Sequence, residues 1–404
     1  MSDAIEDFVR AIDQDVDASR SVVLRYRDAV RFETDVQEDT RFKEHLDRTS
    51  LREGLKIVPL MEYRGVSIDV LDESSLMTTG TLKSIDGCIA AAKSLFEGFD
   101  RCIFESGGNT GSALTRYGEC VDLETYFVVP AENLTILDSS VFERSGAYLV
   151  AVDDPGQVKP AAARLAEIEG LRRIPKPEWR FQASTLIGCF VLEHFIEHGA
   201  YDQMTQSISA AFGPIGIYKV LAALGEGSRL PRFVGIQQAA NCPMYRAWRG
   251  QNAEPAQPVR STAQLLTRVM YDSQPHTYGT FEKLEQLLNE TDGDLETIDH
   301  DEFFRALDRQ IEGMSLIELL DQAGIRIGLR DGEVIEKAGL IALIGTLKQI
   351  DSGLMGANSR VLVCLSGGTA CPDGKAVPDV HIADSSQIDH WFGRQSRPLR
   401  SSHA

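Results

Sequence analysis

A glycine-rich segment over residues 105–111 (Glu-Ser-Gly-Gly-Asn-Thr-Gly) follows a predicted strand and precedes a predicted helix over 112–117. Such a turn lets backbone N–H groups converge, and the N-terminus of the next helix adds positive potential. The segment therefore predicts a binding site for a carboxylate or a phosphate. A turn whose glycines serve only tight packing is the alternative that the spacing leaves open.

A second turn of similar character spans residues 213–217 (Gly-Pro-Ile-Gly-Ile) and leads into a predicted helix from Tyr218. On a parallel α/β sheet both turns would face the same edge, because ligands collect at the carboxyl ends of the strands. One turn is predicted to hold a phosphate and the other a carboxylate. An ordinary turn remains the alternative for this second segment.

Two further residues stand where chemistry is possible. Lys83 lies just past a turn and ahead of an apolar helix predicted to begin near Ile85, and a desolvated lysine can form a Schiff base with an aldehyde. Ser366 follows a predicted buried strand and therefore stands at its carboxyl end. A solvated surface lysine and a hydroxyl that caps its own turn are the alternatives.

His194 and His198 match the H-x-x-E-H pattern of some zinc peptidases, with both imidazoles on one face of a predicted helix. A zinc hydrolase is therefore a candidate from a different functional class. In the other interpretation, Leu192 and Phe195 form the buried stripe of the helix and the histidines face water. No third ligand is evident in the sequence, so we expect no metal.

The elements that must position these residues are those of a parallel α/β fold. From Leu55 onward, short apolar and β-branched runs alternate with longer helical patterns. The acidic segment over 292–321 is predicted to be helical, and residues 250–262 form the best candidate for a long loop. Five runs are predicted to be buried strands: Arg101–Glu105, Thr125–Val129, Ala147–Val152, Arg232–Gln237 and Arg360–Leu365.

The composition argues against several functional classes. Of the 404 residues, 60 are acidic and 41 are basic, which gives a net charge of -19, so we expect no nucleic-acid partner and no membrane partner. Seven scattered cysteines without a C-x-x-C pair favour free thiols in a reducing compartment. The acidic N-terminus argues against a targeting peptide, and no apolar run approaches the roughly 20 residues of a membrane span. We therefore predict a cytoplasmic protein.

In their order along the chain, these motifs resemble those of the tryptophan-synthase-β-like, or fold type II, pyridoxal-phosphate enzymes, with the threonine synthases as the most similar branch. Residues 79–83 (Thr-Gly-Thr-Leu-Lys) resemble the family's Thr-Gly-Ser-Phe-Lys, and residues 106–111 resemble its Ser-Gly-Asn-Thr-Gly with one extra glycine. Cysteate synthase is also similar. Other landmarks fall at Arg25-Tyr26-Arg27, Asp72-Glu73, Glu336 and Ser366-Gly367.

The resemblance implies pyridoxal 5'-phosphate as the cofactor and gives each motif a role. Lys83 would bond covalently to the cofactor's aldehyde carbon and transfer the α-proton of the substrate. Asn109 would bind the 3'-oxygen of the cofactor, and Ser366 would face its pyridine nitrogen. Two sets of residues would hold anionic groups: the cofactor phosphate on Gly213, Pro214, Ile215, Gly216 and Ile217, and the substrate carboxylate on Ser106, Gly107, Gly108 and Thr110.

The resemblance also implies an architecture of two open α/β domains with mostly parallel sheets and the cofactor between them. Residues 55–84 and 201–380 would form the large cofactor-binding domain, and residues 85–200 a smaller mobile domain. Residues 1–54 would be a helical N-terminal extension, and residues 381–404 a C-terminal tail. A homodimer is the expected assembly.

The activity implied is elimination or replacement at the β or γ carbon of a small amino acid whose leaving group is phosphate or a similar anion. A replacement on phosphoserine, as in cysteate or cysteine synthases, is the alternative within the family. Outside it, the zinc hydrolase and a non-catalytic amino-acid-binding relative stay open.

Overall fold

The structure is a computed structural model that describes residues 3–30, 36–222, 230–250, 265–271, 279–335, 337–368 and 375–392. Glu336, residues 251–262 of the predicted loop and the end of the chain beyond residue 392 lie outside the described residues. The chain divides into two compact units. The first comprises Met1–Phe32, Arg52–Leu82 and Phe181–Ala370, and the second comprises Glu33–Leu51, Lys83–Arg180 and Cys371–Ala404.

The first unit contains a six-stranded sheet. Its strands are β1 (Lys56–Tyr63), β2 (Val66–Asp72), β7 (Gln203–Ser207), β8 (Arg232–Gln238), β9 (Asp294–Ile298) and β12 (Arg360–Leu365). They lie in the order β1-β2-β12-β7-β8-β9, and all neighbours pair in parallel except the β1–β2 hairpin. The short strands β10 (Leu329–Arg330) and β11 (Glu333–Val334) form a separate antiparallel pair. A mostly parallel sheet of this kind needs helices as crossovers and covers on its faces.

The second unit contains a parallel five-stranded sheet. Its strands are β3 (Arg101–Glu105), β4 (Glu124–Pro130), β5 (Ala147–Val152), β6 (Arg172–Arg173) and β13 (Val380–Ile382). They lie in the order β13-β5-β4-β3-β6. The central strand β4 is buried along almost its whole length because helices must cover both faces of a parallel sheet.

Fourteen α-helices are present in the described part of the chain. The first unit contains α1 (Asp3–Arg10), α2 (Val22–Tyr26), α8 (Phe212–Leu221), α9 (Pro243–Trp248), α10 (Phe281–Glu290), α11 (His300–Leu307), α12 (Leu316–Gln322) and α13 (Ala338–Asp351). The second contains α3 (Val36–Thr49), α4 (Lys83–Glu97), α5 (Asn109–Gly118), α6 (Val158–Glu169) and α14 (Ile388–Phe392), and α7 (Pro177–His198) begins there and continues into the first. No described helix is both long and apolar enough to cross a lipid bilayer.

Helix α13 is the centre of the core of the first unit. It is apolar around its whole circumference and is buried at every residue from Ala338 to Leu347, as expected for a helix without a solvent face. Gly345 lets the helix approach β8, because a Cβ atom there would lie 2.7 Å from the Ile236 side chain. The core of the second unit is formed by β3, β4, β5 and α6.

The fold class predicted from the sequence is confirmed, since both sheets are mostly parallel and alternate with helices. Each of the five predicted strands is present, with its ends within one residue of the prediction. The prediction of helix throughout 292–321 is wrong in part, because β9 occupies Asp294–Ile298. β9 pairs with β8 at the sheet's edge and buries only Leu295 and Ile298, so it carries no continuous apolar run.

A partly buried ion pair joins α2 to α7 within the first unit. Arg25 donates to both carboxylate oxygens of Glu193, at 2.6 and 3.0 Å, and the Tyr26 hydroxyl donates to the same carboxylate at 2.5 Å. Burial acts to raise the pKa of Glu193, but the hydrogen bonds from Arg25 and Tyr26 and the charge of Arg25 outweigh it. The pKa of Glu193 therefore lies below its ordinary value.

We predict that Glu193→Gln lowers the free energy of unfolding by about 1.5–3 kcal/mol at pH 7, because Arg25 and Tyr26 lose a charged acceptor. A depressed folded-state pKa stabilises the protein above the unfolded value of about 4.3. The difference between wild type and variant should therefore shrink as the pH falls through the folded-state pKa of Glu193. Urea unfolding at a series of pH values measures both effects. Glu197→Gln, one turn further on the exposed face, is the matched control, and an equal loss in that control would contradict the role of the ion pair.

Candidate functional site

Lys83 is the first residue of α4, two residues earlier than the helix start predicted near Ile85. The segment leading to it is fixed to the end of β12 by two backbone contacts. Thr81 forms a bridge with Gly367, and the Leu82 N–H donates to the Ser366 carbonyl at 3.2 Å. The chain therefore enters α4 directly from the edge where Ser366 lies.

The Lys83 ammonium forms an ion pair with Asp86 on the first turn of the same helix. Its Nζ atom lies 3.0 Å from Asp86 Oδ2, and the Asp86 side chain is 3% exposed whereas that of Lys83 is 26% exposed. An aspartate in the first turn also interacts favourably with the helix dipole. Asp86 was not predicted as a site residue, although its i,i+3 spacing from Lys83 is a signal for such a pair.

The glycine-rich loop after β3 is shaped by Ser106. The Ser106 hydroxyl oxygen accepts the N–H groups of Gly108 at 3.1 Å and Gly111 at 2.9 Å. Gly108 adopts φ 150°, which favours glycine, and the Gly107 carbonyl accepts the buried Asn133 amide at 2.8 Å. These bonds hold the loop in one conformation.

Three N–H groups of this loop remain for a ligand. Helix α5 begins at Asn109, three residues before the predicted start, so Asn109 and Thr110 belong to its first turn. The N–H groups of Gly107, Asn109 and Thr110 have no hydrogen-bond acceptor in the described part of the chain. Unpaired N–H groups at a helix N-terminus bind anions, so the loop can hold a carboxylate or a phosphate.

Glycines bring α4, α5 and β4 into close contact below this loop. A Cβ atom at Gly111 would lie 2.2 Å from the Phe127 ring of β4, and one at Gly87 of α4 would lie 2.6 Å from the Tyr117 ring of α5. Both rings are fully buried. The position of the N-terminus of α5 therefore depends on the absence of a Cβ atom at Gly111 and at Gly87.

Residues 213–217 lie at the corresponding place in the first unit, after β7. The prediction of a turn here is wrong, because α8 begins at Phe212 and includes all five residues. Pro214 is tolerated there because the first N–H groups of a helix have no partner within the helix. Ala211, the residue before the helix, has φ 59°. A Cβ atom at Gly216 would lie 2.2 Å from Ser184 of α7, so these two helices approach closely.

Ser366 lies at the carboxyl end of β12, beside two polar side chains from the end of β7. Its hydroxyl lies 3.3 Å from the Ser207 hydroxyl. Gln206 is 3% exposed and donates to Glu73 Oε2 at 3.3 Å, while its Oε1 atom lacks a donor among the described residues. That oxygen would lie 2.9 Å from a Cβ atom at Gly213. Neither Gln206 nor Ser207 was predicted as a site residue, because β7 carries no apolar run that marks it as a strand.

The two histidines considered as zinc ligands lie away from the strand ends described above, on the last two turns of α7. The His194 and His198 rings are stacked with centroids 4.5 Å apart, and His194 Nε2 lies 3.2 Å from the Tyr201 hydroxyl. That hydroxyl donates to Asp69 at 2.7 Å. No group of three or more His, Cys, Asp or Glu side chains placed to hold a metal ion was found among the described residues.

The predicted residues thus form one set in each unit. Lys83 and Ser106–Thr110 lie at the N-termini of α4 and α5 in the second unit, and Gly213–Ile217 and Ser366 lie at the carboxyl edge of the sheet in the first. Each set places N–H groups and hydroxyls where parallel strands end, which is the usual position of ligands in α/β folds.

Comparisons with known proteins show which chains this one is similar to. No protein-family model matches it. The threonine synthase of Methanosarcina acetivorans is 22% identical over 333 residues, which cover 80% of this chain and 75% of that protein. The solved structure of threonine synthase from Escherichia coli covers 99% of this chain and 84% of its own, with a TM-score of 0.59 and 13% identity. The chain is similar in sequence to a threonine synthase and shares the fold of a solved threonine synthase.

The family resemblance predicted from the sequence is therefore confirmed. A pyridoxal 5'-phosphate-dependent aspartate racemase has the same fold, with a TM-score of 0.57 and 17% identity over 84% of this chain and 97% of its own. Threonine deaminase and O-ureido-L-serine synthase share it too. Because synthases, a deaminase and a racemase use one fold, the fold does not decide the reaction.

We predict that Gly111→Ala lowers the free energy of unfolding by about 1–3 kcal/mol, because the added methyl group overlaps the Phe127 ring. Alanine is the better helix former, so an unchanged or increased stability would contradict the close packing of α5 on β4. Combining Gly111→Ala with Phe127→Leu should recover part of the loss, with Phe127→Leu alone as the control. Urea unfolding of the four proteins gives the coupling energy.

Proposed function

We propose that this protein is a pyridoxal-phosphate-dependent enzyme that catalyses elimination or replacement at the β or γ carbon of an amino acid. The leaving group is phosphate or a similar anion. The observation that carries the proposal is the anion cradle at α5, formed by the N–H groups of Gly107, Asn109 and Thr110 in the same unit as Lys83. The homology to threonine synthase supports it.

The edge of the first unit fits the cofactor. The close approach of Gly213 to Gln206 brings the start of α8 to the end of β7, where the positive potential of the helix suits a phosphate. Pro214 offers no N–H, so Gly213 supplies a donor of the first helical turn. Pro214, Ile215 and Ile217 would then shape the phosphate site through their backbone and their apolar side chains.

The cofactor, when bound, supplies an aldehyde for covalent attachment and an electron sink for the α carbon. Lys83 Nζ would attach the cofactor and would then take the α-proton of the substrate and return it. Asn109 would bind the cofactor's 3'-oxygen. Ser366 would donate its hydroxyl proton to the pyridine nitrogen, where a carboxylate would instead keep that nitrogen protonated. Such a weaker electron sink would favour elimination and replacement.

The substrate carboxylate would bind at the α5 cradle. Because the Ser106 oxygen already accepts two N–H groups, its own proton is available to donate to the carboxylate. The N–H of Gly108 is bonded to Ser106, so this residue stabilises the conformation of the loop. The groups that would contact the substrate carboxylate directly are Ser106, Gly107 and Thr110, together with the Asn109 N–H.

Three expectations from the sequence remain part of this proposal. These are the homodimer, the cytoplasmic location, and the division into a large domain (55–84 and 201–380), a smaller mobile domain (85–200), an N-terminal extension and a C-terminal tail.

We predict that the purified protein is yellow and absorbs at about 410 nm, as expected for a lysine-bound cofactor. Lys83→Ala should abolish this band and the adduct trapped by borohydride, and should lower turnover at least about a hundredfold through loss of the proton-transfer group. Lys176→Ala, a half-exposed lysine of the same unit, is the control. A colourless wild-type protein that binds no pyridoxal phosphate would refute the proposed function.

We predict that O-phospho-L-homoserine or O-phospho-L-serine releases phosphate at least about tenfold faster, as kcat/KM, than O-acetyl-L-serine releases acetate, because the site favours a phosphate leaving group. Phosphate and acetate assays with the loaded enzyme measure this, with Lys83→Ala as the blank. A preference for phosphoserine with sulfite as the nucleophile would favour the cysteate-synthase-like alternative. Cofactor binding without turnover of any of the three would point to an amino-acid-binding relative.

A further inference from the structure

The carboxylate of Asp86 is the charged group that the structure places against the proposed catalytic lysine. Its Oδ2 atom lies 3.0 Å from Lys83 Nζ, one helical turn away on α4. Both residues belong to the second unit. The pair therefore depends on the geometry of one helix, whose first residue is Lys83 and whose next turn begins at Asp86.

Burial strengthens the electrostatic effect of the Asp86 carboxylate on neighbouring groups. The side chain is 3% exposed, and at low local dielectric a charge acts more strongly on its neighbour than in water. Its Oδ2 atom is buried and, apart from the ion pair with Lys83, has no donor among the described residues. A buried carboxylate oxygen without a donor is uncommon, and its charge is directed at the lysine.

In the part of the chain that the structure describes, the following charged and titratable groups contact α4 further along the helix. Arg41 and His45 of α3 contact Phe96, thirteen residues or about 20 Å along the helix from Lys83. Glu97 pairs with Arg172 and Lys176. On the α5 side, Tyr117 is fully buried against Gly87. Arg116 pairs with Glu119 at the surface.

We infer that Asp86 is a positioning residue for Lys83, whose carboxylate stabilises positive charge on the lysine nitrogen during the reaction. This role rests on the proposed function of Lys83. When Lys83 takes the α-proton, the C–H bond breaks, an N–H bond forms, and the electron pair stays with the carbon and the bound cofactor. Asp86 keeps its own charge and neither gains nor loses a proton. It also holds Nζ on the first turn of α4 before the cofactor attaches.

The test is a pH titration of the visible band of the loaded protein, a readout that a purely structural residue would not move. The band at about 410 nm belongs to the form with a proton on the lysine nitrogen. Removing the neighbouring negative charge destabilises that form, so Asp86→Asn should lower the pH midpoint of the band by at least about one pH unit. Asp86→Ser should give the same shift, and Asp86→Glu, which keeps the charge, should restore most of the midpoint.

Glu119→Gln is the matched control, because it also removes one negative charge from an i,i+3 pair in the same unit, but at the surface. Its midpoint should equal that of the wild type. If the wild type is coloured but the pH midpoint is unchanged in both Asp86→Asn and Asp86→Ser, the role of Asp86 is overturned. The proposed function would then remain intact. A colourless wild type would instead refute the proposed function. If Asp86→Asn does not fold, Asp86→Ser decides the question alone.

Discussion

Parallel pairing of β2, β12 and β7 is the constraint on which the functional edge of the first unit depends. The register sets Cys364 beside both Leu71 and Gln206, so the three strands end at nearly the same level. Residues far apart in the chain are therefore neighbours there, including Glu73, Ser207 and Ser366. Thr81 and Leu82, which precede Lys83, are bonded to the same edge within the first unit.

The anion sites proposed for this protein do not depend on its net charge. The chain carries a net charge of -19, yet the N-termini of α5 and α8 direct positive helix potential at the proposed sites. Their positions depend on glycines, because Gly111 and Gly216 allow contacts that a Cβ atom would prevent. Each unit also holds a buried carboxylate, Glu73 in the first and Asp86 in the second, and these contact Gln206 and Lys83 respectively.

Much of the fold follows from local sequence. The strands β3, β5 and β12 are apolar runs bounded by turn residues, and their ends coincide with the prediction. Strand β7 could not be predicted from the sequence, because its residues, Gln-Met-Thr-Gln-Ser, form no apolar run. Its polar side chains are buried because partners from distant elements satisfy them, as when Gln203 donates to Gln349 of α13 at 2.8 Å. No local pattern encodes such a partner.

The sequence by itself determined the resemblance to the fold type II enzymes and singled out Lys83 and the glycine-rich segments as candidates, because motifs in a fixed order survive at low identity. Only the tertiary structure decided where the helices begin, which N–H groups of the Ser106 loop are already bonded, and which side chains lie beside Lys83 and Ser366. Asp86 faces Lys83 because α4 starts at the lysine itself, and Ser207 reaches Ser366 because β7 pairs with β12. Both results depend on helix phase and strand register, which packing fixes and composition does not.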